Sequence, residues 1–175
     1  LEAGEEIVCE LSAVMQFDEK IEIHSLSGGP RRMKRLVNSN ATATANVAVM
    51  AGCAGRAGVF DLGQHRGRLL CPQDALMAAG PGVAVTVYSR YRSIGANGFD
   101  LLLLEGRGWA FLHACGNVKD LTLGPGKQAQ INVAALAAMS ATVDFEPMRL
   151  KVRDVQANFA VLTGPGRVWL QSGVQ

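Results

Sequence analysis

The sequence repeats itself, and that repetition limits the fold more than any single motif does. Three segments share a pattern of small and aliphatic residues, Ser12-Ala13-Val14-Met15, Asp74-Ala75-Leu76-Met77 and Ala134-Ala135-Leu136-Ala137, and they begin 62 and then 60 residues apart. Each follows a glycine by a few residues, namely Gly4, Gly67 and Gly126, and the first and third share similar lead-ins, Leu1-Glu2-Ala3-Gly4 and Leu123-Gly124-Pro125-Gly126. A second element also recurs three times, as Gly58-Val59-Phe60-Asp61-Leu62, Gly108-Trp109-Ala110-Phe111-Leu112 and Gly166-Arg167-Val168-Trp169-Leu170, in which a glycine launches a strand that carries a large aromatic. The two elements keep the same order throughout. The spacing predicts one domain over 1–175 built of three units, roughly 1–62, 63–122 and 123–175.

A unit of about 60 residues cannot bury enough apolar surface by itself, so the three must share a core. Periodicity makes the chain mostly strand and turn. Glu6 to Glu10, Val14 to Phe17, Ile21 to Ile23, Val83 to Tyr88, Val118 to Leu123, Val143 to Phe145 and Leu150 to Val152 are short runs bounded by Gly, Pro, Asn or Ser. The expected class is all-β, a sandwich or barrel-like arrangement. The Ala-rich run Val133 to Met139 competes as a helix, but it runs into Ser140, Thr142 and Val143, and a tightly packed strand fits it at least as well. Composition agrees: the chain is 49% apolar and only 6% aromatic with 20 glycines, so close packing rests on small side chains. An open stack of such units leaves unpaired strand edges, and closing identical chains into a ring removes them, which predicts a cyclic homo-oligomer.

Several function classes recede. A net charge of +2 is too small for the whole-molecule field to draw nucleic acid or anionic membrane, so such a partner needs a local patch. Neither Ala75 to Val85 nor Ile131 to Val143 is an uninterrupted apolar span long enough to cross a bilayer. The acidic start, four glutamates and no basic residue in 1–10, is the reverse of a targeting segment. Cys9, Cys53, Cys71 and Cys115 form no CxxC and read as reduced, half-buried thiols of an intracellular protein. His24, His65 and His113 form no HxH or HxxxH pair, so no metal and no cofactor is expected, and the nucleophile arrangements to weigh are Cys115 near His113 and a Cys and His pair assembled from distant segments. The Gly-Pro-Gly triplets starting at 80, 124 and 164 fit type II turns better than phosphate-cradling loops. The one dense charge run, Arg31-Arg32-Met33-Lys34-Arg35, is expected to be a solvated loop, and the rival reading is a phosphate grip on nucleic acid or anionic lipid, multiplied around a ring.

The carboxyl-terminal run Leu162-Thr163-Gly164-Pro165-Gly166-Arg167-Val168-Trp169-Leu170-Gln171-Ser172 closely resembles the closing signature of the altered-inheritance-of-mitochondria family of bacterial and mitochondrial proteins. Gly164, Pro165, Gly166, Arg167 and Trp169 carry that signature. Leu1 to Met15, Gly80-Pro81-Gly82-Val83 and Gly108 to Gly116 match the same pattern, so the resemblance spans most of the chain. It implies a fold similar to the trp RNA-binding attenuation protein, a variant of the double-stranded β-helix, with three units per chain and trimers closing a nine-unit ring. It also implies a cytoplasmic location in bacteria and a mitochondrial one in eukaryotic relatives, with peripheral membrane association as one role. The family's glycine-glutamate-glycine loops are replaced here by Ala96-Asn97-Gly98-Phe99 and Gln156-Ala157-Asn158-Phe159, so whatever those loops do is not carried over. No motif matches the residues by which the attenuation protein binds tryptophan and RNA. The leading expectation is a non-enzymatic, ring-forming scaffold or interaction protein. An RNA- or small-ligand-binding ring and a β-helix enzyme are the alternatives.

Overall fold

A computed structural model describes residues 1–27, 29–50, 55–88, 101–152 and 155–173. The chain forms strands β1 (Glu6–Glu10), β2 (Val14–Phe17), β3 (Ile21–Ser25), β4 (Met33–Asn38) and β5 (Val47–Val49), and then β6 (Gly55–Asp61). There follow β7 (Arg68–Pro72), β8 (Leu76–Ala79), β9 (Val83–Val87), β10 (Leu101–Gly106) and β11 (Trp109–Cys115). The last stretch holds β12 (Val118–Leu123), β13 (Gln128–Asn132), β14 (Leu136–Ser140), β15 (Asp144–Val152), β16 (Val155–Thr163) and β17 (Gly166–Gln171). The protein is all-β, with several antiparallel sheets packed as a sandwich.

The expected strands are present. Val143 to Phe145 and Leu150 to Val152 prove to belong together to a single strand region, β15, which starts at Asp144. The Ala-rich run is a strand as well, entered through one 3-10 turn at Val133–Ala135 that is capped by the Asn132 side chain, which accepts from Ala134 N–H at 3.0 Å.

The recurring tetrads share one local geometry. Each starts in a 3-10 turn (Leu11–Ala13, Gln73–Ala75, Val133–Ala135) and passes directly into a strand (β2, β8, β14). In each, the partner register slips at the fourth tetrad position: Val14 faces Val49 but Gln16 faces Ala48, Leu76 faces Leu112 but Ala78 faces Phe111, and Leu136 faces Leu170 but Ala138 faces Trp169. Met15, Met77 and Ala137 are therefore β-bulges, an extra residue that bends the strand over the core.

Pairing follows one scheme in three stretches. The first strand pairs with the fourth (β1 with β4, β7 with β10, β13 with β16), the third pairs with the fourth, and the bulged second strand pairs with the fifth (β2 with β5, β8 with β11, β14 with β17). The strand in the place of β11 and β17 is thus β5, whereas Gly58–Leu62 falls at the end of β6, which lines the outer edge of β11 as β12 lines that of β17. Neighbouring stretches join where β1 meets β8 and β7 meets β14. The result is two composite six-stranded sheets, β3-β4-β1-β8-β11-β6 and β9-β10-β7-β14-β17-β12, and two remnants, the three-stranded β15-β16-β13 and the two-stranded β2-β5.

The core lies between these sheets. Leu101 to Leu104 in β10 are all buried because successive side chains enter opposite clusters. Leu102 and Leu104 join Leu62, Leu69, Leu112 and Trp169, while Leu101 and Leu103 join Leu136, Met139, Phe145 and Leu162.

Candidate functional site

The closing signature builds one wall of a cleft. The Gly164–Pro165 peptide bond is cis and Gly166 takes φ +156°, so this Gly-Pro-Gly triplet is not the type II turn expected of it, whereas Gly82 at φ +77° suits such a turn. A side chain at Gly166 is excluded sterically: a Cβ there would lie 2.6 Å from Val143 Cγ2 and 2.9 Å from Thr142 Oγ1. The next residue, Arg167, opens β17. Its backbone N–H donates to Ser140 Oγ at 3.0 Å, and its guanidinium is paired with Asp120 on β12 and lies 5.2 Å from the centroid of the Trp169 ring. Trp169 is 7% exposed and meets Phe60 (5.1 Å, 85°) and His65 (5.3 Å, 86°) edge to face.

The facing wall is the 3-10 turn Leu62–His65, started by the Asp61 carboxylate accepting from Gly63 N–H at 2.9 Å and ended by Arg66 at φ +57°. Arg68 follows at the start of β7, held by Glu105 at 2.9 Å. Arg66, Arg68 and Arg167 converge with His65, Ser140 and Thr142 on a cleft of about 440 Å³. Burial and then the Arg167 charge lower the His65 pKa, outweighing the Asp61 carboxylate, so the imidazole is neutral at pH 7. Behind the ring cluster, Phe60, Leu112, His113, Ala137, Ala138 and Trp169 line a smaller apolar cavity of about 210 Å³.

The sequence marked Gly164, Pro165, Gly166, Arg167 and Trp169 but missed the arginines opposite them. Their signal was a spacing mismatch: Gly4 and Gly126 precede their tetrads by eight residues (12 − 4 and 134 − 126) and Gly67 by seven (74 − 67). Ladder hydrogen bonds place Arg66, not Gly67, level with Gly4 and Gly126, because Gly106, Asn38 and Gly164 N–H donate to the carbonyls of Gly67, Glu5 and Lys127, each one residue later.

The basic run is not one solvated loop. Arg31 and Arg32 precede β4, but Lys34 and Arg35 lie within it and point to opposite faces. Arg32 lies 3.9 Å from Asp74 and Arg35 lies 3.5 Å from Glu6, so two of the four cations face carboxylates. The histidines stay apart: His24 is an exposed partner of Glu22 at 3.2 Å, and His113 is buried. Among the described residues no three His, Cys, Asp or Glu side chains gather as a metal site. Cys9 and Cys71 are free and buried, with the Cys9 thiol pushed up to about 11 by desolvation. Cys115 is disulfide-bonded, which corrects the expectation of four reduced thiols and removes it as a nucleophile beside His113. Cys53 and Ala96-Asn97-Gly98-Phe99 lie outside the described residues, while Gln156-Ala157-Asn158-Phe159 belongs to β16. Among the described residues no helix is long and apolar enough to cross a membrane.

The fold is similar to the crystal structure of protein SPYM3_0169 from Streptococcus pyogenes, with a TM-score of 0.84 at 16% identity over 99% of this chain and 86% of that one. No curated protein matches the sequence. The profile of the mitochondrial biogenesis AIM24 family matches residues 1–173, as the closing signature and the opening segment led us to expect, and the chain belongs to that family.

Proposed function

We propose that the protein is a non-enzymatic scaffold or interaction protein that works as a closed ring of identical chains, three chains with three units each. The observation that carries this reading is the pair of sheet remnants. Both composite sheets arise when the first strand of one stretch pairs with the bulged strand of the next, β1 with β8 and β7 with β14. The same step is left open at each end, because among the described residues β13 pairs only with β16 and β2 only with β5. Joining β13 of one chain to β2 of another makes a third composite sheet like the other two. Exposure supports it: Met15 and Phe17 on β2 are 64% and 42% exposed, whereas Met77 and Ala79, at the matching places of β8, are 6% and 0% exposed. Such head-to-tail contacts close into a ring when the rotation allows, and closure removes every edge of this kind.

The family's name ties its members to mitochondrial biogenesis, and a platform without its own reaction fits that setting. For the present chain we place the ring in the bacterial cytoplasm, with peripheral membrane contact as one use. The free Cys9 and Cys71 support that location, the Cys115 disulfide speaks against it, and fractionation of tagged protein decides.

Sedimentation velocity tests the ring. The chain should run as a trimer at micromolar concentration, and Met15→Lys with Phe17→Lys, on an exposed edge, should yield folded monomer. A native monomer, or an unchanged trimer in the double variant, sinks the proposal.

A further inference from the structure

We propose that the cleft between the Leu62–His65 turn and the start of β17 binds a phosphorylated small molecule or headgroup, its phosphate held by Arg66, Arg68 and Arg167. The cleft lies within one chain, so this goes beyond the ring reading and does not depend on it.

Arg66 is the first reason. It adopts φ +57°, and the residues level with it in the other two stretches are glycines, Gly4 at φ +75° and Gly126 at φ +70°. A left-handed backbone disfavours a Cβ, so the fold alone selects glycine at this turn. An arginine there is kept against local preference, and backbone conformations of this sort gather at binding sites. Among the described residues it has no ion pair.

The second reason is that the charge belongs to this seam and not to the architecture. The ladders align Arg68 with Glu6, Arg167 with Trp109, and Ser140 and Thr142 with Gly80 and Gly82. The preceding seam thus presents glycine, glutamate and tryptophan where this one presents three guanidinium groups.

Third, two of the three guanidiniums are pre-oriented. Glu105 holds Arg68 and Asp120 holds Arg167 from outside the cleft, and among the described residues that line it there are three arginines and no carboxylate. Guanidinium forks fit phosphate oxygens bidentately. Ser140 and Thr142 add hydroxyls to the lining, and the neutral His65 adds a ring nitrogen. A volume of about 440 Å³ exceeds what a bare phosphate fills and falls within the range of small-molecule sites.

The test titrates the 175-residue chain with glycerol 3-phosphate by calorimetry and, in parallel, sediments it with vesicles of phosphatidylcholine with and without phosphatidic acid. Arg66→Gly removes the side chain while supplying the residue that this backbone favours, so the variant should fold, and circular dichroism checks that it does. We expect saturable binding of at least one probe, weakened about tenfold in Arg66→Gly and again in Arg167→Gln, because each lost charge-assisted hydrogen bond is worth roughly a factor of ten. Binding of the soluble ester identifies a free metabolite; binding of phosphatidic acid vesicles alone identifies a lipid headgroup. Absence of binding to both probes at about 10 mM phosphate groups, an affinity too weak for a built site, overturns the proposal. So does binding that both variants leave intact.

Discussion

Trp169 shows how much a single residue can organise here. Its ring carries the Arg167 guanidinium on one side and receives Phe60 and His65 edge-on at 5.1 and 5.3 Å, which fixes the wall between the cleft and the apolar cavity. His65 pays for its place in that cluster with a pKa lowered first by burial, and His113 is lowered first by burial too, against a smaller opposing pull from Asp74. Both folded values sit below the ordinary 6.5, so on acidification the unfolded chain takes up the protons first. Their contribution to stability is complete above about pH 6.5 and is lost as pH falls below it. Urea midpoints measured from about pH 7.5 down to about pH 5.5 should therefore fall, and the fall should be shallower in His65→Gln/His113→Gln. Equal slopes would show that these imidazoles do not supply the effect.

At the scale of elements, the tetrads and their glycines encode a turn, a bulge and a strand in sequence. The tetrads were legible because a 3-10 turn followed by a bulge needs small residues before an aliphatic one, and the Ala-rich third copy could be read as strand from its neighbours. Gly58–Leu62 misled for a physical reason: a glycine followed by an aromatic strand suits any strand that covers the core, and β6 covers it from the edge of β11 rather than beside a bulged strand. The short β5 that takes that place has three residues, Val47–Val49, and no aromatic, so nothing in its composition announced it. At the β16–β17 turn, Gly166→Ala should destabilise the fold by about 1–3 kcal/mol in chemical denaturation, because a Cβ meets Val143 and Thr142 and the backbone stands at φ +156°. A loss below about 0.5 kcal/mol, the range of a neutral surface change, would mean that the turn relaxes at no cost.

For the whole molecule, the two remnants decide how stability should depend on concentration. If β13 and β2 pair between chains, folding and assembly are linked and Tm rises with protein concentration. Differential scanning calorimetry over a hundredfold dilution should show that rise in the native chain and lose it in Met15→Lys/Phe17→Lys. A Tm independent of concentration in the native chain would separate the folded state from assembly.

The sequence by itself determined the class of fold, the tetrads and, through the closing signature, the family, since strand period, small-residue packing and turn glycines are local properties of the chain. It also singled out Trp169 and Arg167 within that signature. Only the tertiary structure decided what lies opposite them. Arg66 and Arg68 are separated from Arg167 by about a hundred residues of chain and reach it because β7 pairs with β14 and β14 with β17. Pairing of β4 with β1 and β3 drew Lys34 and Arg35 into a strand and left Arg31 and Arg32 before it, and the register of β7 set Arg66 at a glycine's position. Registers between distant strands are fixed by the packing of whole sheets, and a one-residue shift at a turn, invisible to composition, moved a charge into a cleft.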